Sequence, residues 1–321
     1  MESKSMRLLI APNAFKNSLT ATEAAIALRD GFAASRLQAG HTLFPVADGG
    51  DGTGDLLVAQ LQGRKVNGIV NDPLGRPIDT WFGLIDEGRT AVVEMANASG
   101  LRLLQPEELT AMRANSFGTG QQIVQALDSG ARKIIVAMGG SATTDGAIGM
   151  LQALGVRFRN SAGDALQAVP ASFAQMDRID LSALDPRVND AEIIVLCDVD
   201  NRLLGAKGAA AMFGPQKGAT PAEVEQLDKG LHRFAELVKA ANGKDIAAIP
   251  YGGTAGGASA GLYACINAKL VHGIEYFLDI TGFNTALENS DLVVTGEGSI
   301  DEQTLQGKAP FGVARRAKDR G

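Results

Sequence analysis

Aromatic side chains, histidine and cysteine are all scarce in this 321-residue chain: 5% aromatics, three histidines and two cysteines. The lack of aromatics argues against stacking platforms for single-stranded nucleic acid. A net charge of −6 argues against a phosphate-backbone partner, while leaving room for a local basic pocket. Cys197 and Cys265 sit in apolar or small-residue surroundings without metal-ligand spacing, and read as buried thiols of a reducing compartment. None of His41, His232 and His272 has a partner spaced for metal binding, so a histidine-centred mechanism is not expected. No run reaches the roughly 18 apolar residues of a membrane span, and MESKSMRLLIAPNAF lacks a signal-peptide core before Pro12 and Lys16. No membrane partner and a cytoplasmic location are therefore expected. The Walker sequence and a full G-x-G-x-x-G are absent too, so neither a P-loop NTPase nor a standard dinucleotide fingerprint can be claimed.

What the chain has instead is glycine, 39 residues against an average share of roughly 7%, mostly in clusters. With 45% hydrophobic and 21% charged residues, it reads as a globular chain of about two domains. Strand-like runs alternate with helix-like ones. Arg7–Ala11, KIIVAM at 133–138, EIIVLC at 192–197 and Asp291–Thr295 are apolar or β-branched runs that suit buried strands. Thr20 with Glu23 is a capping-box pattern opening a helix toward Ala34. Thr220, Pro221 and a final Gly243 frame the clearest helix, whose Val224, Leu227, Leu231, Phe234 and Val238 form one apolar face. Residues 68–100 differ: short alternating segments and the turn Asp86-Glu87-Gly88-Arg89 indicate antiparallel structure. The expected class is α/β, with a parallel sheet and some antiparallel strands.

The glycine clusters carry acids. In PVADGGDGTGD, Asp48 and Asp51 lie in a turn between an apolar run and a helix-like LLVAQL. Glycine lets backbone N–H groups approach a phosphate, and a helix N-terminus favours an anion, but the carboxylates require a metal between. The strand-like runs are followed by GGSATTDG, DVDN and GEGSID, where doubly wound sheets carry ligands. Asp145, Asp198, Asp200, Glu297 and Asp301, with Lys16, Lys217 and Lys308, match what phosphoryl transfer needs: carboxylates for Mg²⁺ and a hydroxyl, cations and N–H groups for phosphoryl oxygens. Structural alternatives stand beside each: Asp48 and Asp51 as helix caps, Asp145 as a cap of a helix through Met150 to Leu154, Asp198 and Asp200 as an Asx-turn, Lys308 as a solvated charge.

Nine segments in order resemble the type 1 glycerate kinase family: APNAFKNSLTA, PVADGGDGT, VEMANASGL, NSFGTGQ, GGSATTDGAIGMLQALG, CDVDNRLLG, FGPQKGA, GTAGGASAGL and TGEGSIDEQTLQGKAPFGVARRAK. The resemblance implies transfer of the γ-phosphoryl of ATP to glycerate with Mg²⁺, usually giving 2-phosphoglycerate, in a cleft between two domains. It implies a discontinuous Rossmann-like domain over 1–65 plus 275–321 and an inserted α/β domain over 66–274. Asp198 is the leading candidate for the carboxylate that orients or deprotonates the glycerate hydroxyl. Asp48 and Lys16 are further catalytic candidates, and Ser18, Asp51 and Lys308 contact substrate. Gly139, Gly140, Ser141, Thr143 and Glu297 are assigned to the nucleotide, Asp145 and Asp200 to the metal, and Asp301 to the cleft. Two positions depart from the family: Asn17 stands for a glycine, and Ser299 for an arginine. The family continues past the final VARRAKDRG, so the Rossmann-like domain is expected to be short at that end, with a homodimer as one cover for the exposed edge. A nicotinamide-dependent dehydrogenase and a non-catalytic ligand-binding relative are the competing classes.

Overall fold

A computed structural model describes residues 6–16, 18–300, 304 and 308–320; Asn17 and Asp301 lie outside the described residues. Eleven strands are found among the described residues: β1 Met6–Ile10, β2 Ala39–Leu43, β3 Arg64–Asn71, β4 Pro77–Ile85, β5 Thr90–Glu94, β6 Lys133–Ala137, β7 Arg157–Arg159, β8 Arg178–Asp180, β9 Glu192–Cys197, β10 Lys269–His272 and β11 Leu292–Val294. A parallel sheet has the order β11-β1-β2, a mixed sheet the order β10-β9-β6-β5-β4-β3, and β7 and β8 pair separately. In the mixed sheet β5, β6, β9 and β10 run parallel, while β3–β4 and β4–β5 are antiparallel. The class is thus α/β with antiparallel strands where the turn at Asp86 demanded them. Asp86, Glu87 and Gly88 all take positive φ there, which lets the chain reverse between β4 and β5.

Period-two alternation decides which side chains meet which layer. In β5, β6 and β9, Ala91, Val93, Ile134, Val136, Ile193 and Val195 face one core, built with helices Phe117–Asp128, Pro221–Asn242 and Thr254–Ile266. Val92, Ile135, Ile194 and Leu196 point the other way, into a second core with Leu57, Ile274, Phe277, Phe283 and Val313. Leu9 of the small sheet and Ala11 just past β1 join that same core, so one helical layer is shared by both sheets. Leu8 and Ile10 face a third, small core with Ala25. Helix Ala21–Ala33 has the Thr20–Glu23 capping box, and Pro221–Asn242 has the Thr220–Glu223 box with Gly243 left-handed beyond its end. Both cysteines are buried thiols. Among the described residues no helix is long and apolar enough to cross a membrane.

Candidate active site

The loops that follow the carboxyl ends of strands in both sheets come together. The β2 loop is the centre of the arrangement. Asp48 is buried and accepts from Asn13 Nδ2 of the β1 loop at 3.2 Å. Gly49 presses on the end of β9, where a Cβ would fall 2.9 Å from Leu196 O. Gly273, just past β10, has room for no Cβ because Asp48 O would lie at 1.9 Å. On the third side Gly139 N donates to Gly49 O at 2.8 Å, and a Cβ on Gly140 would meet Asp51 Oδ1 at 2.1 Å. Glycine suits position 140 because its φ is +70°, a conformation that side-chain-bearing residues rarely adopt. Asp48 and Asp51 are thereby brought to the GGSATTD loop that follows β6.

The helix N-terminus after this loop is not open to a ligand phosphate. Gly52 N and Gly54 N donate to the two oxygens of Glu94, each at 2.9 Å, and Glu94 is 2% exposed. The group at the start of helix Thr53–Gln60 is the protein's own carboxyl, so of the metal-phosphate site expected there the Gly52 and Gly54 N–H groups are not free for phosphate. Burial pushes the Glu94 carboxyl up, against the two backbone hydrogen bonds and Arg102.

Asp198 follows β9 and is half-buried. Burial and then the neighbouring Asp48 push its carboxyl up to about 6, while Lys16 and Lys308 pull it down. These four charged groups therefore share one region, although they come from the loops after β9, β2 and β1 and from the segment before helix Ala309–Arg320. Lys16 and Ser18 are exposed, Lys308 half-buried. Asp200 is exposed and acts electrostatically on His272 and Tyr251, whose rings lie 6.3 Å apart. Burial lowers the His272 pKa, Arg315 adding to the shift and Glu275, Asp48 and Asp200 opposing it. The histidine that had no partner in sequence thus stands beside two of the acids.

The GGSATTD loop is held from several sides. Gly140 O accepts from Leu101 N, and Ala142 N donates to Ser99 O. Ser141 Oγ and Thr143 O accept from the buried Lys217 Nζ, at 3.0 and 2.5 Å. Asp145 is fully buried and accepts four hydrogen bonds: from Ser116 N and Oγ, Ala147 N and Gly149 N. Burial pushes its carboxyl up in spite of them. As it stands, Asp145 braces the loop to helix Ile148–Ala153, the structural role weighed for it in sequence. Glu297, half-buried, accepts from Thr304 Oγ1 and lies on the loop that packs against the β1 turn, where Asn13 N donates to Gly296 O. No hydrogen bond or ion pair joins Glu297 to the Gly139–Thr143 segment among the described residues. Two cavities of about 290 and 280 Å³ lie elsewhere, one beneath β9 and β10 at residues 188–193 and one around residues 155–158.

Sequence reasoning missed Asn13, Glu94 and the burial of Lys217. Glu94 ends a strand run, where the carboxyl-end rule could have found it. Nothing in FGPQKGA distinguishes a buried lysine from a surface one.

An α/β enzyme whose acids and lysines converge at strand carboxyl ends beside a glycine loop has the groups of a phosphotransferase. The profile of the glycerate kinase family matches residues 8–321. The chain is 45% identical over 314 residues to the glycerate kinase of Halalkalibacterium halodurans, covering 98% of this chain and 83% of that one. It is 43% identical over 313 residues to the glycerate 2-kinase of Escherichia coli, covering 98% and 82%. A crystal structure assigned to glycerate kinase 2 of Salmonella typhimurium LT2 superposes with a TM-score of 0.87 at 43% identity, over 98% of this chain and 84% of that one. The chain belongs to the glycerate kinase family, and it is an enzyme that phosphorylates an alcohol group, that of glycerate.

Proposed function

We propose that the chain transfers the γ-phosphoryl of ATP to the 2-hydroxyl of glycerate, with Mg²⁺, between the lobes built on the two sheets. The observation that carries this reading is Asp198, at the end of β9, flanked by Asp48 and by the two lysines Lys16 and Lys308. A carboxyl near 6 is mostly ionised at neutral pH and basic enough to take a hydroxyl proton, the condition for general-base assistance. Lys16 and Lys308 are suited to the carboxylate of glycerate and to charge on the transferring phosphoryl group. Ser18 and Asp51 complete the substrate side. The Gly139–Thr143 segment takes the nucleotide phosphates.

Among the described residues no group of three acids, histidines or cysteines is placed to hold a metal. Mg²⁺ does not require one, because it keeps several waters and is bound by one or two carboxylates together with substrate phosphates. The mutual repulsion of Asp48 and Asp198 fits a cation nearby. Asp48 and Asp200 are the residues that would hold it; Asp145, with its oxygens engaged, serves as the brace. When bound, the ion would neutralise phosphate charge. The name of the Escherichia coli relative, glycerate 2-kinase, favours the 2-phosphate product. Incubation with ATP, Mg²⁺ and glycerate, followed by phosphorus NMR, tests reaction and regiochemistry together. A 3-phosphate product would overturn the regiochemistry, and folded protein that releases no ADP in response to glycerate would overturn the whole reading.

A further inference from the structure

Lys217 is 2% exposed, a rare position for an ammonium group unless it is paired. It ends the turn Pro215–Lys217 after helix Ala209–Phe213, and its two hydrogen-bond partners, Ser141 Oγ and Thr143 O, are both neutral. Asp145 and Asp198 are the charged groups that act on it, and they do so through space, without a hydrogen bond among the described residues. Asp145 is committed to Ser116, Ala147 and Gly149. A second observation concerns the same loop: Thr143 Oγ1 and Thr144 Oγ1 are buried and have no hydrogen-bond partner, on residues that are themselves fully buried. A desolvated cation without a contacting counter-charge, bonded to a loop that carries two unsatisfied hydroxyls, is costly unless something anionic arrives to meet them.

We infer that Lys217 is a phosphate-binding residue, supplying from beneath the Gly139–Asp145 loop the positive charge that the phosphate oxygens of ATP meet there. This rests on the reading of that loop as the nucleotide-phosphate seat. Lys16, exposed, and Lys308, half-buried, are then left to glycerate and the transferring group, and the site has two cationic poles. Burial lowers the Lys217 ammonium to about 7, against Asp145 and Asp198. An arriving phosphate restores the proton, so binding of ATP is coupled to proton uptake at Lys217.

Calorimetric titration with ATP and, separately, with glycerate tests this on the wild type, Lys217→Met and Lys217→Arg, with hydrogen exchange of amides 139–145 as a second readout. The expected result is that Lys217→Met weakens ATP at least about 10-fold, as for loss of a charge-assisted hydrogen bond, and leaves glycerate affinity unchanged. At about pH 7.5, titration in buffers of different ionisation enthalpy should show more proton uptake by the wild type than by Lys217→Arg, whose guanidinium stays charged. A purely structural lysine would not produce that difference. Should Lys217→Met fail to fold, Lys217→Arg still decides: uptake undiminished in it overturns the inference. Wild-type ATP affinity in Lys217→Met, or a loss confined to glycerate, overturns it as well. ATP that fails to protect amides 139–145 in the wild type overturns the loop assignment itself. Protection with unchanged ATP affinity in the methionine variant leaves that assignment standing and removes Lys217 from it.

Discussion

Gly139→Ala tests the idea that backbone contact between two glycine loops assembles this site. A Cβ at residue 139 would lie 2.4 Å from Gly50 Cα, 3.0 Å from Gly49 O and 3.2 Å from Gly50 C. All three are backbone atoms, so no side chain can rotate aside. Ordinary contact begins at 3.4 Å, so the β2 loop must retreat by about 1 Å, a displacement that can cost on the order of 10²-fold in rate when it moves reacting groups. The retreat also strains the bond from Gly139 N to Gly49 O and carries Asp48 away from Asp198. Overpacking of this kind costs about 1–3 kcal/mol, which lowers Tm by several degrees in a chain of this size. The assays are steady-state turnover with ATP and glycerate, and a thermal melt. Gly31→Ala is the matched control: it lies in helix Ala21–Ala33, and nothing would stand within 4 Å of the new Cβ. It should leave turnover unchanged and stabilise by about 0.5–1 kcal/mol. Gly139→Ala with wild-type turnover and Tm would refute the reasoning.

Asp198→Asn should keep the fold and cut turnover by at least about 10²-fold, as for loss of a general base; near-normal turnover would remove Asp198 from the chemistry. The same substitution should raise Tm at neutral pH. The folded-state carboxyl is raised to about 6, so its charge opposes folding above that pH, and this cost fades as pH falls through 6; neutralising it relieves about 1–3 kcal/mol after allowance for partial exposure. Activity of the wild type should decline as pH drops through about 6, because the base is then protonated, and a flat profile from pH 7 to about 5 would contradict that role. Asp145→Ala strips the partner from the N–H groups of Ser116, Ala147 and Gly149 and should destabilise by at least about 1–3 kcal/mol; a melt within a degree of wild type would show that Asp145 is not a brace.

Local signals in the chain foretold much of the fold. The run EIIVLC became β9 over the same residues. Both capping boxes formed, and Gly243 ended its helix as a left-handed residue. Hydrophobic period and cap chemistry act over a few residues, so they can be read without knowing the partners. The four glycines around Asp48 and Asp51 were equally visible as a place of close backbone approach, but what approaches them was not. The sequence pointed to a metal-bridged phosphate, or to acid caps, at the start of helix Thr53–Gln60; folding brings in Glu94, 40 residues away along the chain.

The sequence by itself determined the α/β class, the family and the set of acids, lysines and glycine turns available for phosphoryl transfer. Only the tertiary structure decided how those groups are used. Asp48 and Lys16 raise and lower the Asp198 carboxyl in opposite senses because loops from two sheets converge on it. Asp145 is consumed by hydrogen bonds, and Lys217 is left as a buried ammonium beneath the glycine loop. Charge, burial and hydrogen-bond supply at a side chain are set by neighbours distant in sequence, and no local pattern encodes them.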